Sequence, residues 1–382
     1  MLRKYFFNRR IIIKRSTITI TVLLFLSLLS AVVSAFTFSG CSRTGPSTAG
    51  SRTEFALGTI CRIDLFESGS PGLYNRLFTR LAELDTILSA NREDSELSGI
   101  NRNAGLSPVP VSPELFTVLE RARYFAEASG GAFDPTVGPL VKLWAVGLET
   151  PPGSPARSIP QNKEILAALA LVHWQDLELV PSASANGGTA FLRRAGMALD
   201  LGAIAKGYAA DELVKILRET NTPRAIIDLG GNVYVWGSKA DGSPWRVGVQ
   251  NPQEERGNYA GILKLKDTRG SKSVVTSGVY ERYFIGSDGS RYHHILDLSA
   301  AGHPNQQTRR GYPVENGLLS VTIIAASSMD ADALSTACFV LGYEKGLALA
   351  AANGAEVLFI FEDTVIRGSA GAMAVFTMNP PE

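Results

Sequence analysis

Apolar positions along this chain follow two rhythms. From Tyr74 to Ser89, Leu77, Leu81, Leu84 and Leu88 recur at spacings of four and three, which predicts a helix with one apolar face. A second helix is expected over Pro113–Ser129: Ser112 suits the N-cap, Pro113 the first turn and Gly130 the stop. Helices are also expected over Ala203–Glu219 and Met329–Leu341. Phe55–Phe66 is β-like, and further strands are expected at Arg224–Asp228, Val233–Trp236, Trp245–Gln250, Tyr259–Leu265, Arg291–Leu296, Leu319–Ala325 and Glu356–Phe361. Short strands mixed with helices predict α+β or α/β packing. Pro151–Pro160, rich in Pro, Gly and Ser, is the best internal boundary, between a helical half and a more β-rich half. No repeat of fixed period is visible.

The first 40 residues do not read as part of a fold. Arg3, Lys4, Arg9, Arg10, Lys14 and Arg15 open the chain without an acid among them, and an apolar run follows from about Ile18 to Phe38. A basic start before an apolar core is how an export signal reads. The run ends at Phe38-Ser39-Gly40-Cys41, where small residues directly before a cysteine resemble a bacterial lipoprotein cleavage site. Lipid on Cys41 would hold the protein on a membrane. Two other readings stand beside it: cleavage after Val33-Ser34-Ala35, or an uncleaved span, since about 20 residues suffice to cross a bilayer. All three place the folded part outside the cytoplasm, and the lipoprotein reading puts it on the periplasmic face of the inner membrane. Residues 41–52 then form a flexible tether, polar and Pro/Gly-bearing, ahead of a catalytic domain over 53–379.

Charge sharpens the contrast. The chain has 37 Lys+Arg and 36 Asp+Glu; six basic residues and no acid precede Cys41, leaving 31 against 36, a formal charge of −5 for the rest. No basic patch remains to suggest nucleic acid as a partner. Cys61 and Cys338 are the only other cysteines; in apolar contexts they read by default as buried free thiols, with a disulfide as the alternative in an oxidising compartment.

Several common signatures are absent: the phosphate loop G-x-x-x-x-G-K-[ST], the dinucleotide fingerprint G-x-G-x-x-G after a strand, H-E-x-x-H and G-x-S-x-G. Four other segments carry chemistry. Leu199–Asp211, LDLGAIAKGYAAD, enters a helix with Lys206 in its first turns, an arrangement that suits an anion; in isolation, a capping Asp200 and a solvated lysine explain it as well. On a helix, Asp332 and Thr336 share one face and offer hard oxygens to Mg²⁺, although Asp330 and Asp332 also suit a helix N-terminus. Ser287–Ser290 is a turn in a hairpin whose second strand carries His293 and His294 on alternate faces; one would serve as acid or base and the other point away. In Ser129–Gly147 two glycines precede Ala132-Phe133-Asp134, and Pro135 keeps the chain extended, leaving main chain free to bond a flat ring with Phe133 as a packing surface.

Taken together and in order, these segments resemble the FAD:protein FMN transferase family, also called the ApbE family. The resemblance rests on LGT at Leu57–Thr59, LSANREDSELSGIN at Leu88–Asn101, SGGAFDPTVGPLVKLW at Ser129–Trp144 and LDLGAIAKGYAAD at Leu199–Asp211. It continues through IIDLGGNVYVWG at Ile226–Gly237, TSGVYERYF at Thr276–Phe284, HHILD at His293–Asp297 and DADALSTACFVLG at Asp330–Gly342. The resemblance implies one α+β unit with a T-fold-like core. It also implies an Mg²⁺-dependent enzyme that cleaves the FAD pyrophosphate, releases AMP and attaches FMN to a Thr or Ser hydroxyl. Implied partners are flavin-accepting domains of exported or membrane electron-transport subunits.

Position by position, the resemblance implies these roles. Leu57 takes the place of a flavin-contacting Met, and Asn91 stands where an aromatic residue often contacts FAD. Ala132, Phe133 and Asp134 match the flavin-binding loop; Asp200, Lys206 and Leu296 match further FAD contacts. Ala203, through its carbonyl, and Asp332 and Thr336 match metal ligands, and His294 matches the histidine tied to catalysis. One departure stands out. The family's D-P-x-T-G-[YR]-P is replaced after Asp297 by Leu298–Gly317, in which Gly302-His303-Pro304 and Gly311-Tyr312-Pro313 each fit the motif's end, so that one lies on an insertion expected to form a surface loop. Two other activities fit the same residues: an Mg²⁺-dependent FAD pyrophosphatase, and a non-enzymatic flavin-binding lipoprotein.

Overall fold

The computed structural model describes residues 50–67, 69–146, 158–182, 187–266, 272–298 and 310–379. The export segment, Cys41 and most of the tether therefore lie outside the described residues, as do Gly302-His303-Pro304 and most of the loop after Asp297. Among the described residues no helix is long and apolar enough to cross a membrane.

Among the described residues eight strands form one sheet, in the order Ser51–Ala56, Thr59–Leu65, Ala225–Leu229, Asn232–Trp236, Lys272–Gly278, Leu318–Ala325, Glu356–Phe361 and Ile366–Gly368. Every neighbouring pair is antiparallel, which places the fold in the α+β class. The helices among the described residues are α1 (Pro71–Leu88), α2 (Glu96–Arg102), α3 (Pro113–Ala128), α4 (Gly138–Trp144), α5 (Asn162–Leu169), α6 (Ala205–Glu219), α7 (Ser328–Ala352) and α8 (Ala370–Val375).

Both faces of the sheet are covered. Successive strand residues point to opposite sides: Tyr234, Val275, Ile323 and Val357 enter the larger core with α1, α6 and α7, whereas Val235, Val274, Ile324 and Leu358 enter a smaller one. That second core is closed by the three-stranded sheet Trp245–Gln250, Tyr259–Leu265 and Phe376–Met378. Double coverage explains why Leu318–Ala325 is apolar almost throughout rather than at every second position.

Leu77, Leu81 and Leu84 of α1 are fully buried, as their spacing predicts. Thr48–Glu382 forms one compact unit, undivided at Pro151–Pro160. Arg121 of α3 bridges that boundary in sequence with a two-pronged ion pair to Asp330 of α7, both contacts at 2.7 Å.

Three elements depart from the sequence expectation. Phe55–Phe66 is a hairpin rather than one run: Ala56 pairs with Thr59 across a two-residue turn, with Leu57 at φ 50° and Gly58 at φ 69°. Both values match the turn that suits strand twist, but Leu is a strained choice there, and this hid the turn. The histidine strand stops at His293, because Leu296 leaves the hairpin to pair with Pro313. Helix α7 runs on to Ala352 across Gly342, whose φ of 76° breaks the helical path.

Candidate active site

Leu199–Asp211 begins as an extended segment locked on two sides. The Asn101 side chain of α2 accepts from Leu199 N at 2.7 Å and donates to Leu199 O at 3.0 Å. Opposite, Asp200 N donates to Pro135 O at 2.9 Å and Gly138 N to Ala198 O at 3.1 Å, so the 132–138 loop is fixed beside the same segment. Asp200 is not the cap of α6. Its Oδ1 accepts from Gly202 N at 2.8 Å and shapes the turn before the helix, whose N-cap position is Ile204. Desolvation raises the Asp200 pKa, while Gly202 N and the charges of Arg282 and Lys206 oppose the rise.

Helices α6 and α7 meet at very close range. A methyl group on Gly207 would overlap the Ser328 carbonyl, so only glycine allows this approach. Four residues on, Asp211 accepts from Ser328 N at 2.9 Å, Met329 N at 3.0 Å and Ser327 Oγ at 3.0 Å, and so caps α7 from outside. In return Asp332, 3% exposed, accepts the Gly207 amide on Oδ2 at 2.9 Å.

Gly207 is the third residue of α6, where an N–H has no acceptor inside the helix, and Asp332 satisfies it. Ala203 precedes the N-cap Ile204, and its carbonyl accepts no hydrogen bond among the described residues. Asp332 Oδ1 keeps only a distant charge partner, Lys206 Nζ at 3.8 Å, and Lys206 donates to Gly202 O at 3.0 Å. Thr336 is half-buried one turn along α7, with Ser277 Oγ at 3.3 Å.

No group of three His, Cys, Asp or Glu that could hold a metal exists among the described residues. What the site offers is one carboxylate, one hydroxyl and one unbonded carbonyl. These are hard oxygens in a small number, the donor set that fits Mg²⁺, an ion that keeps several waters.

The two adjacent histidines separate cleanly. His293 is 5% exposed; its Nε2 donates to Val314 O at 2.9 Å, and its Nδ1 accepts from Ile295 N at 3.2 Å, so both ring nitrogens are committed to structure. Nδ1 of His294 lies 3.1 Å from Arg282 O, and the His294 amide donates to the same carbonyl at 3.2 Å. The carbonyl can only accept, which assigns the proton to Nδ1 and leaves Nε2 with its lone pair. Nε2 has no protein partner among the described residues. Desolvation lowers the His294 pKa to about 4, so the ring is neutral at pH 7.

An aromatic group fastens this hairpin to the loop beside Asp200. Tyr292 stacks on Trp144 at 5.5 Å and on Phe284 at 5.4 Å, and Trp144 Nε1 donates to Gly311 O at 2.7 Å. Gly311-Tyr312-Pro313 lies against the histidine strand, with Asp297 N donating to Tyr312 O at 2.8 Å.

The remaining expected residues fall around this centre in different states. Asp134 is inward: Oδ1 accepts from Thr136 N and Oγ1, Oδ2 accepts from Trp174 N, and burial raises its pKa. Phe133 is 4% exposed and meets Phe125 edge-on in the core, so its ring faces inward rather than forming an open packing surface. Ala132 is buried too, and Leu296 packs with Leu140 and Trp144, which leaves main chain as what these residues present. Leu57 occupies the strained hairpin turn. Thr59 beside it packs on Gly230, and Cys61 on the next strand senses both Asp228 and Lys206. Asn91 is exposed, its amide bonded to Ser89 Oγ at 3.2 Å, with no described contact to Asp200 or Asp332. Cys61 and Cys338 are buried free thiols.

Arg282, Glu281, Asp228 and Ser277 stand out only in the structure. The first two act electrostatically on this centre, as does Asp228, and Ser277 touches Thr336. Their signal was present in TSGVYERYF and IIDLGGN, but nothing in a strand–turn segment told which of its polar residues face the site.

The profile of the ApbE family matches residues 57–359. The chain belongs to the ApbE family. A curated relative from Treponema pallidum (strain Nichols), named FAD:protein FMN transferase, is 40% identical over 335 residues, covering 84% of this chain and 87% of the relative. Among solved structures of the family, the ApbE protein of Thermotoga maritima superposes with a TM-score of 0.71 at 32% identity, over 85% of this chain and 98% of that one. The flavin transferase ApbE of Vibrio cholerae gives 0.69 at 29% identity, with the same coverage. The curated ApbE relatives are transferases by name, and the mixed helix-and-sheet fold is the one their structures share.

Proposed function

We propose that this chain is an exported, lipid-anchored FAD:protein FMN transferase, which moves FMN from FAD to a Thr or Ser hydroxyl of a target protein and releases AMP. Membership of the family and the names of its relatives support the activity. The observation that carries the chemistry is the meeting of the Asp200 and Asp332 stretches, through Gly207 N–Asp332 Oδ2 and Lys206 Nζ–Asp332 Oδ1. The basic-then-apolar start and Cys41 support export and lipid attachment to the periplasmic face of the inner membrane.

Asp332, Thr336 and the Ala203 carbonyl would hold Mg²⁺, which when bound supplies positive charge to offset the charge growing on the leaving AMP. The chain's own residues do the rest. Lys206 lies at the entry to α6, where a cation and helix amides favour an anionic diphosphate. The fixed 132–138 loop presents main chain to the flavin. Nε2 of His294 takes the proton of the acceptor hydroxyl as its oxygen bonds to the FMN phosphorus and the bond from that phosphorus to the AMP oxygen breaks. The proton passes afterwards to solvent. An anionic substrate beside His294 raises its pKa above the free-protein value, which makes the ring a better base once FAD is in place.

The test mixes purified protein, FAD, Mg²⁺ and an exported flavin-accepting domain, then weighs the domain by mass spectrometry. A gain of one FMN phosphoryl group on a Thr or Ser is expected. An acceptor of unchanged mass while FAD is hydrolysed to FMN and AMP would replace transfer with hydrolysis.

A further inference from the structure

We infer that Arg282 is a substrate-binding residue of this site, its guanidinium engaging the diphosphate of the dinucleotide; this rests on the proposed use of FAD. The Arg282 carbonyl holds both Nδ1 and the amide of His294, so the residue is tied to the histidine assigned as base. The side chain is left over. It is exposed, and its guanidinium makes no hydrogen bond or ion pair among the described residues.

Its charge nevertheless reaches the centre: it lowers the pKa of Asp200 and of His294, two groups that Lys206 also influences. Two cations therefore act on the same place, and of these only Arg282 has a side chain without a hydrogen bond or ion pair among the described residues. Lys206 is held by Gly202 O at 3.0 Å and faces Asp332 at 3.8 Å. Arg256 acts on Tyr280 and Glu281, and Arg291 on His293, whereas the cations acting on Asp200 and His294 are Arg282 and Lys206.

A dinucleotide's diphosphate brings two negative charges to a centre that already contains Asp200 and Asp332; the proposed Mg²⁺ and Lys206 offset three of the four, which leaves room for one further cation. Arg282 is the cation acting on Asp200 and His294 whose side chain has no partner among the described residues, and its planar fork suits two phosphate oxygens at once. Such a contact binds the phosphates and leaves the flavin ring untouched, which separates it from a structural role.

The test compares binding of FAD and of riboflavin, which lacks phosphate, to the full chain and to Arg282→Gln and Arg282→Lys, in the presence of Mg²⁺. Arg282→Gln is expected to lose about tenfold to a hundredfold in FAD affinity and to keep riboflavin affinity within about twofold. Arg282→Lys should recover part of the loss, because the charge returns without the fork. Equal loss for both ligands would show a structural role and overturn the inference, as would unchanged FAD affinity in Arg282→Gln. Failure of the unaltered chain to bind FAD at all would instead remove the reading on which the inference rests.

Discussion

The amide of Gly207 donates to Oδ2 of Asp332 across 125 residues of sequence, at 2.9 Å. One bond does three things: it orients a buried carboxylate, satisfies a first-turn amide that has no acceptor inside α6, and pins the entry of α6 to the first turns of α7. Gly207→Ala would force a methyl group into the Ser328 carbonyl. A loss of about 1–3 kcal/mol in unfolding free energy is expected from the overlap, with Mg²⁺ affinity falling at least about tenfold because two of its oxygens shift. Denaturant unfolding and a metal titration on the same sample check both; an alanine variant with native metal affinity would refute the linkage.

Asp332→Ala removes the only carboxylate in the expected metal set. Transfer should fall by more than about a hundredfold, and the dependence of the residual rate on Mg²⁺ should flatten. Thr336→Val, which keeps shape and loses the hydroxyl, should fall by less. Steady-state rates across a range of Mg²⁺ concentrations read both.

The two histidines should fail in opposite ways. His294→Gln is expected to lower kcat by about two to four powers of ten while leaving stability near that of the unaltered protein. His293→Gln should lower stability and leave kcat largely intact, because both ring nitrogens of His293 are spent on Val314 O and Ile295 N. A large kcat loss in the His293 variant alone would reverse the assignment.

The pH dependence of activity follows from the same ring. Desolvation sets the His294 pKa at about 4 in the free protein, so lowering the pH from 7 to 5 leaves Nε2 unprotonated. The profile of kcat/KM, which reports the free enzyme, should show no acid limb centred near 6.5, the value of an ordinary histidine. A limb there would contradict the neutral ring.

Stability supplies a separate readout. The His293 pKa is likewise lowered to about 4 by burial, so between 6.5 and 4 the unfolded chain binds a proton that the folded chain refuses. Its contribution is therefore present above 6.5 and lost as the pH falls toward 4, by about 1.4 kcal/mol per pH unit at most. Asp211, whose pKa burial raises, works in the opposite sense, so the comparison must be between variants. Urea unfolding of His293→Gln should fall off less steeply with acid than that of the unaltered protein.

How much of this was legible in the residues depends on how local each signal is. The leucine spacing in α1, the Ser112-Pro113 start of α3 and the strands Trp245–Gln250, Tyr259–Leu265 and Glu356–Phe361 are local, and they stand where the pattern puts them. Asp332 and Thr336 do lie one turn apart on a helix, and Lys206 does sit at a helix entry. What escaped is what depends on a partner. Leu57 adopts a left-handed conformation that leucine resists, because its hairpin is already paired into the sheet. Nothing in HHIL distinguishes His293 from His294 until Val314 and Arg282 arrive from elsewhere. The inward turn of Phe133 likewise depends on Phe125 of α3.

The account stands on oxygens from two distant stretches holding one cation beside a diphosphate. The most direct measurement is Mg²⁺ binding by calorimetry in the presence of FAD, for the unaltered chain and for Asp332→Ala. One equivalent bound by the first, with affinity reduced at least about tenfold in the second, is the predicted result. Equal affinity in both would mean that the cation sits elsewhere and that the joining of Asp332 to the Asp200 segment serves the fold alone.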